Sequence, residues 1–417
     1  MKQQILHTPE GVRDIYSAEY RKKQVMEDKL QRVFRLFGYQ DVQTPMLEYF
    51  DVFGKEIGTI PSKELYKFFD HEGNTLVLRP DITPSIARVA TTLYDTDKLP
   101  IRLCYKGNTF INHPSYRGRM HETTQAGVEL IGIDSVEADA EMVVMAVESL
   151  KEAGLLEFQI HIGSVAFFES MIKEANLSKE EEARLRELIS NRNYFGVEEL
   201  LQKAQAKTTI MTAFQALPEL IGGVEVLQEG KKISLNTQAA EAMKRLEQIY
   251  QLLLAYGVEK YITFDLSMSG TYGYYTGIIF RGYTYGTGDA IVKGGRYDHL
   301  LEKFGKPSPS VGFVIVVDEL MNAFARQKLT IPYKTKNTFI LYEENRQAEA
   351  IKLAREFRAS GKPTELVKKR EDKTLEEYIC CAKQNLCVSM MYLRNSNDMD
   401  MVNLLTGTVK SVSKRIK

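Results

Sequence analysis

A chain of 417 residues is too long for one ordinary domain and suits two or three. Its 44% hydrophobic and 26% charged residues are those of a globular protein, which excludes a disordered chain. The 55 Lys+Arg balance 55 Asp+Glu, so no basic excess marks a nucleic-acid partner and none is expected.

Four cysteines without a C-x-x-C pair make neither a disulfide framework nor a zinc site, so no metal is expected. The first residues, MKQQILHTPEGVRD, hold no apolar run before a cleavage site, and no stretch reaches the roughly 18 apolar residues of a membrane span. A cytoplasmic protein without membrane contact is expected.

In chain order, Met26, Leu30, Val33, Phe34 and Phe37 form one helical stripe that ends at Gly38. YQDVQTPMLEYFDVF is extended and interrupted by Pro45, as at an edge or interface. KFFDHEGNTLVLRPD predicts a hairpin turning at Gly73-Asn74, and TPSIARVATTLY a helix. IRLCYKGNTF and QAGVELIGI are strands joined by the basic loop INHPSYRGRMHETT; a helix (VEADAEMVVMAVESLKEAG) and the strand FQIHIG follow.

From about 165 to 257 the pattern turns helical, opening on a Ser178/Glu181 capping box, and is expected to be an insertion. Strands return at YITFDLSMSG, GYYTGIIFRGYTYG and DAIVKGG, and PSVGFVIVVDELMNAFA passes from strand into helix. Runs of strands with helices outside them predict an α+β core over 1–330 with an antiparallel sheet. After the linker IPYKTKN, alternating strands and helices predict a small α/β domain over 337–417 with a largely parallel sheet.

Gly286 and Gly288 lack the third glycine and the helix of a nucleotide cradle, so they read as a turn. Gly294-Gly295-Arg296-Tyr297-Asp298, taken alone, reads as a tight turn with a helix cap. Four segments together say more: TPEGVRD, LRPDITPSIARV, CYKGNTF…RGRMHETTQAGVELIG, and YYTGIIF…GGRYDHLLEKFG…SVGF. In order and spacing they resemble the histidyl-tRNA synthetase family over roughly the first 320 residues. The resemblance implies a class II synthetase-like antiparallel sheet flanked by helices, and a tail similar to a shortened anticodon-binding domain.

The chemistry of that family tests its activity here. Driving a carboxylate onto the α-phosphate of ATP requires fixed cations, and arginine is favoured because its fork grips two oxygens and keeps its charge. The family's motif 2 arginine falls on Ile111, the one opening R-G-L-D-Y-Y on Gly270, and the motif 3 arginine on Glu319. Removing one preorganised stabiliser costs about 3–4 kcal/mol, so two losses lower a rate on the order of 10⁴-fold. Lys106, Arg117, Arg119 and Arg281 are the neighbouring cations, but a flexible substitute lacks the fork geometry.

The amino-acid side is kept. By the resemblance, Asp81 and Thr83 of R-P-D-x-T meet a histidine α-ammonium, Gln125 and Glu129 of Q-x-G-x-E hold ammonium and imidazole, and Tyr274-Tyr275 form aromatic walls. The same segments resemble the regulatory subunits of short-form ATP phosphoribosyltransferase. That implies a non-catalytic, histidine-sensing activator without cofactor. It would form a homodimer through about Ser17 to Phe53 within a hetero-oligomer with the catalytic subunit. Two alternatives are a stand-alone histidine- or tRNA-binding paralogue and a divergent active synthetase. From Asn337 onward, 15 Lys+Arg against 11 Asp+Glu lend RNA binding little support.

Overall fold

The helical stripe of the first long helix, α1 (Ser17–Leu36), buries Met26, Leu30, Val33 and Phe34 and stops at Gly38, whose φ of 84° few side chains adopt. This computed structural model describes residues 6–54, 60–94, 100–113, 119–268, 273–333, 337–396 and 398–413. Gly270, Arg117 and part of the expected linker (334–336) lie outside the described residues. The chain divides into two compact units, Met1–Arg13 with Met26–Thr330, and Asp14–Val25 with Ile331–Lys417.

In the first unit, β1 (Gln40–Asp41) precedes a small antiparallel sheet of β2 (Leu47–Tyr49), β3 (Lys67–Phe69) and β4 (Thr75–Leu78). The expected hairpin turn closes because Asp70 Oδ1 accepts the Asn74 N–H at 2.8 Å while Gly73 takes a φ of 85°. Then come α2 (Thr83–Leu93), β5 (Ile101–Phe110), β6 (Glu122–Ile131) and α3 (Val136–Ala153), which is capped by Ser135 and ended by left-handed Gly154. Next are β7 (Gln159–Ser164) and a helical run: α4 (Val165–Ala175), α5 (Lys179–Ser190) with its Ser178/Glu181 capping box, α6 (Tyr194–Lys203) and α7 (Thr208–Ala216). After β8 (Ile221–Gly222) follow α8 (Glu225–Lys232), α9 (Thr237–Ala255), β9 (Ile262–Asp265), β10 (Ile278–Tyr283), β11 (Val292–Arg296), β12 (Ser310–Val316) and α10 (Val317–Arg326).

These strands form a nine-stranded sheet in the order β1-β5-β6-β12-β11-β10-β7-β9-β8. The run from β5 to β7 is antiparallel as expected, but β1–β5 and β7–β9 are parallel. A parallel pair needs a long crossover. For β7–β9 the helices α4 to α9 supply it, so the helical stretch returns the chain to the strand beside the one it left.

The expected turn at Gly294-Gly295-Arg296 is instead strand: all three residues belong to β11. A Cβ on Gly294 would meet the Phe280 ring and Phe313 at 2.5 Å, so this glycine serves close packing rather than a turn.

The second unit holds β13 (Asn337–Tyr342), α11 (Gln347–Ala359), β14 (Thr364–Lys368), α12 (Leu375–Gln384), β15 (Cys387–Leu393), β16 (Asp398–Asn403) and β17 (Val409–Ser413). The parallel part, β14-β13-β15, matches expectation; β16 and β17 extend it antiparallel. β16 is half-buried, so its signal is alternation, with Asp400 and Val402 inward, while β17 is exposed. Among the described residues, no helix is long and apolar enough to cross a membrane.

Candidate functional site

Register places the site. On β6, Glu129 lies level with Gly312 of β12, Gly295 of β11, Ile279 of β10 and Gly163 of β7. A Cβ on Gly312 would overlap the Glu129 carboxylate, one on Gly295 would stand 2.8 Å from the Tyr275 ring, and one on Gly127 2.7 Å from the Tyr105 hydroxyl. The glycines thus leave room above the sheet, and a cleft of about 1080 Å³ opens there. Asp81, Thr83, Gln125, Glu129, Tyr274 and Tyr275 all line it.

The two acids are buried and held by neutral donors. Tyr274 Oη donates to Asp81 Oδ2 at 3.0 Å and the Thr83 N–H to Oδ1 at 3.3 Å. Glu129 Oε1 accepts Thr83 Oγ1 at 2.6 Å and Tyr105 Oη at 3.0 Å, while Oε2 accepts Tyr297 Oη. Burial raises the Asp81 carboxyl above the usual range and pushes Glu129 up to about 7. Gln125 Oε1 is buried with no hydrogen-bond partner among the described residues. An acceptor in that state costs about 1–3 kcal/mol until a donor reaches it. The pocket therefore favours a ligand with cationic or N–H donors.

Tyr105 and Tyr297 were not among the expected residues. Tyr105 sits opposite Gly127 on β5, and Tyr297 directly follows β11; its ring lies 5.7 Å from that of Tyr274. Tyr297 was visible in the G-G-R-Y-D segment, but its convergence on Glu129 depends on strand neighbours. Thr83 spends its hydroxyl on Glu129.

The basic residues divide by burial. Arg79 is buried, and its guanidinium donates to Asn108 O at 2.9 Å and to Thr44 O at 2.9 Å, so it fastens backbone. Arg296, 2% exposed, contacts Asp139 at 2.7 Å and Asp298 at 3.0 Å. Both are scaffold.

Of the residues expected at the family's arginine positions, Ile111 and Glu319 line the cleft, while Gly270 lies outside the described residues. Lys106 pairs with Glu27 at 3.3 Å, whereas Arg119 and Arg281 line the cleft together with Lys293 and Arg326. The cleft thus holds cations. Lys293 pairs with Asp289 at 2.9 Å, and Arg326 donates to Gly286 O at 2.5 Å. His113 also lines the cleft, and burial lowers its pKa. Among the described residues, no group of three His, Cys, Asp or Glu could hold a metal ion.

The family model described as histidyl-tRNA synthetase matches residues 11–320. A crystal structure titled as an ATP phosphoribosyltransferase regulatory subunit/histidyl-tRNA synthetase from Bacillus halodurans C superposes with a TM-score of 0.83. It is 31% identical and is matched over 94% of this chain and 99% of its own. Histidyl-tRNA synthetase from Nostoc sp. PCC 7120, at 20% identity and a TM-score of 0.77, shares the fold over 98% of this chain and 96% of its own. The ATP phosphoribosyltransferase regulatory subunit of Acetivibrio thermocellus is 40% identical over 87% of this chain and 86% of its own. That of Thermoanaerobacter pseudethanolicus is 38% identical over 89% and 97%. Likeness of this degree along nearly the whole of both chains establishes kinship: the chain belongs to the family of ATP phosphoribosyltransferase regulatory subunits, built on the histidyl-tRNA synthetase fold.

Proposed function

We propose that the chain is the regulatory subunit of a short-form ATP phosphoribosyltransferase, at the first step of histidine biosynthesis, and senses free histidine in the Asp81–Gln125–Glu129 pocket. The observation that carries the sensing role is two buried carboxylates with neutral donors beside an unpartnered Gln125 oxygen. A histidine α-ammonium would face Asp81 and Gln125, and an imidazole N–H would face Glu129. Feedback then means that histidine binds two states of the complex unequally.

The reading includes no adenylation. Ile111 offers no charge, and Glu319 puts a carboxylate in the cleft. The remaining cations lack the family's fork positions. ATP–pyrophosphate exchange with histidine measures this directly, and any exchange above background identifies an active synthetase instead.

Mixing the purified chain with a short-form catalytic subunit is expected to raise turnover, and histidine to lower it again. Turnover indifferent to the chain would refute the regulatory assignment. On the small sheet, Leu47, Tyr49 and Phe68 are exposed and apolar, which suits pairing of two copies. Sedimentation velocity is expected to show a dimer that Tyr49→Lys dissociates; a monomeric parent protein would remove this part of the reading.

Glu129 sets the pH dependence. An acid with a raised folded pKa keeps its extra stability at low pH and loses it as pH rises toward that pKa. A ligand that needs the ionised form binds better over the same interval. With Glu129 near 7, histidine affinity is expected to rise about tenfold from pH 6 to pH 8. Glu129→Gln should flatten the profile relative to the parent; parallel profiles for the two proteins would exclude this role.

A further inference from the structure

One step along the strands from the Glu129 row lies a second row. Gly127 of β6 is level with Val314 of β12, Lys293 of β11, Arg281 of β10 and His161 of β7. Three basic side chains thus stand in register on adjacent strands, and side chains two residues apart share a face, about 7 Å from one row to the next. Like charges directly opposite destabilise a sheet. The amino-acid pocket gives no reason for this row.

Among the described residues, acids temper it. Asp265 faces His161 at 4.0 Å, and Asp289 pairs with Lys293 at 2.9 Å. The Asp289 side chain is 63% exposed and that of Lys293 29%, and ion pairs near the surface are weak, so an incoming anion competes with Asp289 for Lys293. Arg119 lines the same cleft and lies near enough to Asp289 to lower its pKa. The cleft volume of about 1080 Å³ exceeds what one amino acid fills, since sites for whole drug-sized ligands run roughly 300–1,000 Å³.

We propose that the Arg281–Lys293 pair, flanked by His161 and Arg119, is an anion site for a phosphate-bearing ligand, beside the amino-acid pocket and built from none of the family's arginine positions. A guanidinium grips phosphate oxygens two at a time, and a neighbouring ammonium adds a point charge. Such a site would let a charged metabolite report to the same subunit without adenylation. The proposal does not rest on histidine occupying the pocket, and histidine titrations of the same variants keep the two apart.

The test is calorimetric titration of the full chain with inorganic phosphate, pyrophosphate and ATP, with and without histidine. Pyrophosphate is expected to bind, with affinity falling as salt rises. Arg281→Ala should weaken it at least tenfold while histidine affinity stays within twofold. Lys293→Gln, which keeps the aliphatic stem, supplies the same reading should Arg281→Ala fail to fold. Both variants are compared with the parent by circular dichroism. Tighter binding of ATP than of pyrophosphate identifies a nucleotide as the source, and equal affinity a free polyphosphate. No binding of pyrophosphate at millimolar concentration, or unchanged binding in folded variants, overturns the proposal.

Discussion

Asp81→Asn is expected to weaken histidine binding about 10- to 100-fold by titration calorimetry and to leave the melting temperature unchanged or higher. The carboxylate is buried, and Tyr274 and the Thr83 backbone are neutral donors. A buried charge without a cation is a cost to the empty protein, which the amide lacks. The ligand's ammonium would supply the missing charge, and a hydrogen bond to a charged group contributes about 1.5–3 kcal/mol. In the reconstituted complex the variant should retain activation and lose most of its inhibition by histidine. Unchanged affinity would move the histidine site elsewhere.

The second large effect concerns stability. Asp139 of α3 is fully buried between Arg296, which follows the glycines of β11, and Arg245 of α9, with nitrogens 2.7 Å from its oxygens. Asp139→Ala leaves the Arg296 guanidinium buried with Asp298 at 3.0 Å and the Ile133 carbonyl at 3.2 Å. Breaking one side of a buried pair costs about 3–5 kcal/mol. The urea midpoint is expected to fall accordingly. Histidine affinity should fall too, since Tyr297, the next residue along, holds Glu129. Replacing the pair by apolar residues, Asp139→Leu with Arg296→Met, should recover much of the stability, because such substitutions are often neutral. A loss below 1 kcal/mol in Asp139→Ala would show that water or rearrangement rescues the arginine.

Much of this was legible in the residues themselves. Local signals placed the α1 stripe, the Ser178/Glu181 capping box and the Gly73-Asn74 turn. Each depends on contacts a few residues apart, so periodicity and capping chemistry suffice to locate it. The expected match of Ile111, Gly270 and Glu319 to the arginine positions rests on order and spacing alone, whereas Asp81, Gln125 and Glu129 were singled out in the sequence and line one cleft.

Other features needed the tertiary structure because they depend on which strands become neighbours. Parallel pairing at β1–β5 and β7–β9 follows from crossover routes that no local window contains. Arg79 and Arg296 belong to the R-P-D-x-T and G-G-R-Y-D segments, and burial assigns one to backbone oxygens and the other to Asp139. Tyr105 and Tyr297 close on Glu129 from sequence distances of 24 and 168 residues. Glycines on three strands keep that place open. A sequence states what each side chain can donate or accept; only the register of β5, β6, β12 and β11 decides which of them meet.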